Sequence, residues 1–139
     1  YKEIFYNRVK EKIVNKDKII FTGQIDYKIL IALFGITTAH IYLTYPFVLS
    51  WSMLEAMSMG ALVIGSKTAP VQEIIKHNKN GLLVDFHDTQ GLSNIANKVL
   101  SNRDSYKELK VEARKTIINN YDLEKICLPK QINLIKGLL

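Results

Sequence analysis

"HIYLTYPFVLSWSMLEAMSMGALVIG", residues 40–65, decides how this chain is read. HIYLTY and ALVIG are near-continuous apolar runs of strand length, the pattern of strands buried on both faces. Between them, SWSMLEAMSMG carries apolar residues at helical spacing and closes on a glycine suited to a helix C-cap. Strand, helix and strand in so short a span imply a right-handed βαβ unit and a parallel sheet. One residue stands out: Glu55 lies among Trp51, Met53, Leu54, Ala56 and Met57, where a charge is costly unless something pairs with it.

The alternation extends to both sides. KIIFTG (18–23) and GLLVD (81–85) read as further strands, and DYKILIALFGITTA (26–39) and APVQEIIKHNKNG (69–81) as helices, the second opened by Pro70. Then the character changes. TQGLSNIANKVLSN, DSYKELKVEARKTIINNY and DLEKICLPKQINLIKGLL read as consecutive helices, with Asp104 and Asp122 as N-caps and Pro129 as a kink in the last. The expected fold is α/β, a Rossmann-like parallel sheet with flanking helices and a helical C-terminal tail.

At 139 residues and 47% hydrophobic, the chain suits one domain with a real core. No run of about 18 apolar residues encodes a membrane span, and the charged start does not read as a secretory signal. The first residue is Tyr1, so a fragment or processed product is expected. Net charge is +6, but the lysines in RVKEKIVNKDK and KELKVEARK are interleaved with acids. That pattern indicates a solvated surface and no nucleic-acid partner. Cys127 is the lone cysteine, which fits a reducing compartment and a small buried side chain. His40, His77 and His87 lack metal-ligand spacing and are expected to be satisfied structural histidines; no metal is expected. Asp26, Glu73, Asp85 and Asp88 fall near strand ends without forming a hydrolase-type carboxylate pair. There is no Gly-rich phosphate loop.

In parallel sheets ligands bind outside the carboxyl ends of the strands. After HIYLTY the chain turns at Pro46 and enters a helix near Ser50 to Ser52, presenting backbone N–H groups and hydroxyls at a positive dipole end. A phosphate or diphosphate suits that geometry. Glu55, one turn further along, is placed to accept two hydroxyls of a ribose attached to that phosphate. The plainer reading stands beside it: a core helix with a serine N-cap, and Glu55 facing solvent.

IIFTGQIDYKILIALFGITTAHIYLTYP, SWSMLEAMSMGALVIGSKTAPVQEII and NGLLVDFHDTQGLSNIANKVL resemble, in order and spacing, the carboxyl-terminal domain of the retaining glycosyltransferases of group 1, which have the GT-B fold. The resemblance covers about residues 18–122. It implies a donor-binding Rossmann-like half that takes a UDP- or GDP-linked sugar and no other cofactor, with the acceptor, a glycan or lipid, held by a separate amino-terminal domain. Glu55 matches the second glutamate of the family's E-x7-E motif, which binds the donor ribose. Ser50, Trp51 and Ser52 match the helix entry that meets the diphosphate, Gly23 and Gln24 the loop near the base, and Glu73 the glutamate after the fifth strand.

Two departures stand out. Phe47 occupies the position of the first glutamate, so sugar hydroxyls would fall to the backbone of Val48, Leu49 and Ser50. The family's domain also begins with two further strands and a basic pair; here the sheet would lack them, and Lys67 is the local candidate for the cation. By the resemblance no catalytic base is expected in this half, and the chain alone is expected not to turn over. The implied location is the cytoplasm or the inner face of the membrane. Residues 122–139 are expected to pack toward the amino-terminal domain, leaving an apolar face that would promote self-association. The competing reading is a non-catalytic nucleotide-binding or protein-interaction module.

Overall fold

The computed structural model describes residues 2–9, 12, 15–45 and 48–138. Three strands, β1 (His40–Tyr42), β2 (Val63–Ser66) and β3 (Leu82–Val84), form a parallel sheet in the order β1-β2-β3. The register pairs Ile41 with Ile64 and Gly65 with Leu83. Every residue of β2 is buried, as the continuous apolar run ALVIG requires of a central strand.

Helices cover both faces. Here α1 is Lys2–Val9, α2 Tyr27–Ile36, α3 Trp51–Ser58, α4 Ala69–Ile74, α5 Thr89–Ser101, α6 Lys107–Tyr121 and α7 Leu128–Lys136. Val63 faces a core built with Phe34, Met53, Ala56, Met57, Val71, Ile74, Ala113 and Ile117, from α2, α3, α4 and α6. Leu62, Ile64, Leu82 and Val84 face the other way, onto Val99 of α5. The two-residue alternation of a strand thus distributes the helices into two layers.

Helix α3 ends where the sequence indicates. Gly60 takes φ +77°, its N–H donates to Met57 O and the Ala61 N–H donates to Ala56 O, at 3.0 and 2.9 Å. These are the paired bonds of a Schellman cap, and only glycine adopts that conformation without strain. The lysines and arginine of α6 have a use beyond solvation. Lys110 Nζ donates to Thr37 O at the end of α2, and the Arg114 guanidinium donates to Ser58 O at the end of α3, each a cation at a negative helix terminus.

Several expectations are corrected. KIIFTG does not form a strand: Lys16–Lys18 is a 3-10 turn, residues 19–23 are irregular, and Ile20 is 82% exposed. A strand exists only through its ladder partners, and among the described residues no strand stands beside this segment or on the outer edge of β1. Helix α4 stops at Ile74 rather than running toward Gly81. Asp104 is no helix cap; it lies in a 3-10 turn and pairs with Lys107 at 2.8 Å, which holds its carboxyl below the usual value. Asp122 does cap, accepting from the Lys125 N–H at 2.8 Å. Pro129 lies in the first turn of α7, directly after a π turn over Leu123–Cys127, and Cys127 and Leu128 keep helical φ and ψ across the junction. Cys127 is half-buried. No residue of α7 is buried, and Leu128, Ile132, Leu134 and Ile135 are exposed.

His40 is also corrected. Its ring lies edge-on to Phe34 at 5.0 Å, burial holds its pKa below the ordinary value, and its Nε2 has no partner among the described residues. His77 is satisfied, its Nδ1 accepting from the Leu83 N–H at 2.9 Å.

The turn that replaces the end of α4 is held by Asn80, which is buried. Its Oδ1 accepts from the Lys76 N–H at 2.7 Å, and its Nδ2 donates to Ile74 O at 2.9 Å and to Thr116 Oγ1 at 3.1 Å. One side chain therefore closes α4, shapes the entry to β3 and ties both to α6. Replacing Asn80 by alanine strands these partners, so N80A should lower unfolding free energy by about 2–3 kcal/mol in urea titration. A loss under about 0.5 kcal/mol would show that the network contributes little.

Candidate functional site

The chain leaves β1 and β2 side by side and is tied there by one buried serine. The Thr44 N–H donates to Ser66 Oγ at 3.1 Å, and the Ser66 hydroxyl donates to Thr44 O at 2.9 Å. From that clamp the segment after β1 runs to Ser50, whose N–H donates to the buried Tyr42 phenol oxygen at 2.9 Å. Tyr42 was missed by sequence reasoning as a site residue. The signal available was a polar tip in an otherwise apolar strand.

Ser50 is the N-cap of α3. Its Oγ accepts from the Ser52 N–H at 3.3 Å and lies 3.0 Å from Ser52 Oγ, while the Met53 N–H donates to Ser50 O at 3.3 Å. Part of the hydrogen-bonding capacity that sequence reasoning offers to a ligand is thus spent on the helix itself. The Trp51 N–H, at the first helical position, takes part in none of these bonds, and the Trp51 side chain is 79% exposed. Val48 is exposed, and Leu49 is half-buried against the core. Phe47 lies outside the described residues.

Glu55 is neither alone nor simply facing solvent. It is half-buried on α3, and its Oε1 accepts a hydrogen bond of 2.9 Å from the Tyr27 hydroxyl. Tyr27 is the first residue of α2, whose N-cap Asp26 accepts from the Lys28 N–H at 2.8 Å. Upstream, Gly23 takes φ +63°, a conformation that favours glycine although a Cβ there would meet open space, in the loop that leads through Gln24 to α2. The structure therefore brings the start of α2 to Glu55. A carboxylate with one oxygen held by a phenol still offers the other oxygen to an incoming hydroxyl.

Lys67 follows β2, is exposed, and donates its backbone N–H to Val84 O at 2.7 Å. It borders a depression of about 410 Å³ with Gln72, Ile75, His77 and Leu83, and none of Ser50, Trp51, Ser52 or Glu55 lines that depression. Glu73 is exposed on α4 and borders a second depression of about 460 Å³ with Lys76, Lys79, Thr116 and Lys130. Asn80 lies on that wall with its amide already bonded within the chain. Among the described residues no three His, Cys, Asp or Glu side chains are grouped to hold a metal ion, and no helix is long and apolar enough to cross a membrane.

Against this geometry the comparisons are decisive for family. The model of the family described as glycosyl transferases group 1 matches residues 5–116. The chain belongs to that family.

Curated proteins are similar to it as well, among them these two. One is N-acetyl-alpha-D-glucosaminyl L-malate synthase of Bacillus anthracis, 25% identical over 111 residues, which are 80% of this chain and 29% of that protein. The other is the serotype-specific mannosyltransferase WbdA of Escherichia coli, 28% identical over 100 residues, 72% of this chain and 12% of that protein. The chain thus spans less than a third of either. Among solved structures, Anabaena Alr3699/HepE in complex with UDP superposes with a TM-score of 0.85 at 20% identity, over 100% of this chain and 37% of that one. The C-terminal domain of the group 1 family protein LpcC of Francisella tularensis superposes with a TM-score of 0.77 at 22% identity, over 88% and 63%. At these identities the superpositions establish the fold, which is the expected carboxyl-terminal half of a GT-B transferase.

The Tyr27–Glu55 bond has an electrostatic signature. The carboxylate accepts a hydrogen bond from the neutral phenol and its charge opposes a phenolate, so the Tyr27 pKa is raised above its ordinary 10.0. Glu55→Gln removes that charge, so the Tyr27 phenol should ionise at lower pH than in the wild type, read as a difference in alkaline ultraviolet titration. Identical titration curves for the two proteins would show that the bond does not persist in solution.

Proposed function

We propose that this chain is the donor-binding part of a sugar transferase that takes a nucleoside diphosphate sugar, UDP- or GDP-linked, and transfers the sugar with retention. The observation that carries the reading is the position of Glu55: half-buried one turn beyond the Ser50-capped entrance of α3, with the Gly23–Gln24 loop leading into the helix that touches it. Membership of group 1 supports sugar transfer in general, and the named relatives act on sugars. Solved complexes of the Anabaena protein with UDP and UDP-glucose support a nucleotide-sugar donor.

In this reading the diphosphate lies at the amino end of α3, where the Trp51 N–H and the helix dipole oppose its charge. Glu55 accepts the ribose hydroxyls and fixes the nucleotide. As the sugar–phosphate bond breaks, charge grows on the leaving diphosphate, and fixed dipoles with a nearby cation stabilise it. Lys67 is the cation this chain offers closest in sequence to the strand ends, with a second domain free to supply another. The acceptor, a glycan or lipid, is held by that second domain, and the chain by itself does not turn over. The working location is the cytoplasm or the inner face of the membrane.

An interaction module is favoured by one feature: Tyr45, Val48 and Trp51 are exposed beside the same helix entrance. Calorimetric titration of UDP, GDP and ADP into wild type and Glu55→Ala separates the two. Saturable binding of one diphosphate, weakened by about 1.5–3 kcal/mol in E55A, is the expected result. Binding indifferent to Glu55, or none, would overturn the donor-site reading and leave the interaction module.

A further inference from the structure

We infer that Tyr27 is a positioning residue for Glu55, its phenol holding Oε1 so that Oε2 faces the hydroxyl pair of the bound nucleotide. The inference rests on the reading of Glu55 as the ribose acceptor and adds the residue that aims it. The two partners are 28 positions apart in sequence, and each is fixed by its own element. Tyr27 is the first residue of α2, set by the Asp26 cap at one end of the helix and by buried Phe34 near the other. Glu55 rides on α3, locked by buried Met53, Ala56 and Met57. The bond therefore joins two rigid supports.

Packing does not account for Tyr27. Its side chain is 60% exposed, so the ring adds little to the core and the hydroxyl is what the position supplies. A phenol donating to a carboxylate is a charge-assisted bond, stronger than a neutral one. A free glutamate side chain samples several rotamers, and the cost of ordering it falls on the ligand; a carboxylate held at one oxygen has met that cost before the ligand arrives. Because Tyr27 lies three residues after Gln24, the same bond ties the end of the Gly23–Gln24 loop to α3.

The test is a double-mutant cycle. Wild type, Tyr27→Phe, Glu55→Gln and the double variant are each titrated with UDP, GDP and ADP and with their 2′-deoxy counterparts, and folding is checked by thermal melting. The expected result is that Y27F melts like wild type but binds the preferred diphosphate about 3- to 10-fold more weakly, with a larger loss in E55Q. The double variant should bind no more weakly than E55Q, since Tyr27 acts only through Glu55. With the 2′-deoxy ligand the Y27F loss should shrink below about 2-fold, a response that a purely structural role would not give. Weakening by E55Q alone, or losses that multiply in the double variant, would overturn the positioning role and leave Glu55 as the acceptor. No binding by wild type, or full binding by E55Q, would overturn the donor-site reading and the positioning role with it.

Discussion

The structure depends on the burial of β2 on both faces. A strand with no exposed residue must be flanked by strands on both edges and covered by helices above and below, and each of those neighbours is then fixed in place. Parallel pairing puts the carboxyl ends of β1 and β2 together, and the Ser66–Thr44 clamp joins the chain as it leaves them. From there the direction of α3 follows: Tyr42 holds Ser50, Ser50 caps the helix, and the buried face of Met53, Ala56 and Met57 turns Glu55 toward α2. The Glu55 carboxylate is thus oriented by the apolar packing of its immediate helix neighbours.

This arrangement answers why a charge is tolerated in an apolar helix. Glu55 sits on the half-buried flank, its Oε1 accepts from the Tyr27 hydroxyl at an O···O distance of 2.9 Å, and its other oxygen has no bond of this kind among the described residues. A fully buried carboxylate would need complete pairing and could not accept a ligand; a fully exposed one would not be oriented. The intermediate position is what the proposed ribose contact requires.

Much of this is legible in the sequence because it is local. The period of 40–65 gives the βαβ unit, Gly60 the end of α3 and Ser50 its start. What is not legible depends on partners distant in sequence. KIIFTG has strand composition but no ladder partner among the described residues, and composition cannot supply one. Asn80 reads as part of the expected helix over 69–81; that its amide instead closes α4 and reaches Thr116 on α6 is a fact of packing. The basic residues of α6 read as solvated surface, yet Lys110 and Arg114 reach across to close two helices. Tyr27 looks like an ordinary first-turn residue, and its bond to Glu55 emerges only when α2 and α3 are brought together. Family resemblance supplies the remainder: that a helix entrance and a glutamate one turn on form a donor site is implied by the group 1 signature, and the geometry is compatible with it.

The most direct test of the account is an amide NMR titration of the chain with nucleoside diphosphates, because it reports where a ligand sits without presupposing the residues. The account predicts shifts confined to the carboxyl ends of the strands, centred on Gly23, Gln24, Ser50, Trp51, Ser52 and Glu55. Shifts gathered instead at the loop around Asn80 and the end of α6, or a spectrum unchanged at saturating ligand, would contradict it.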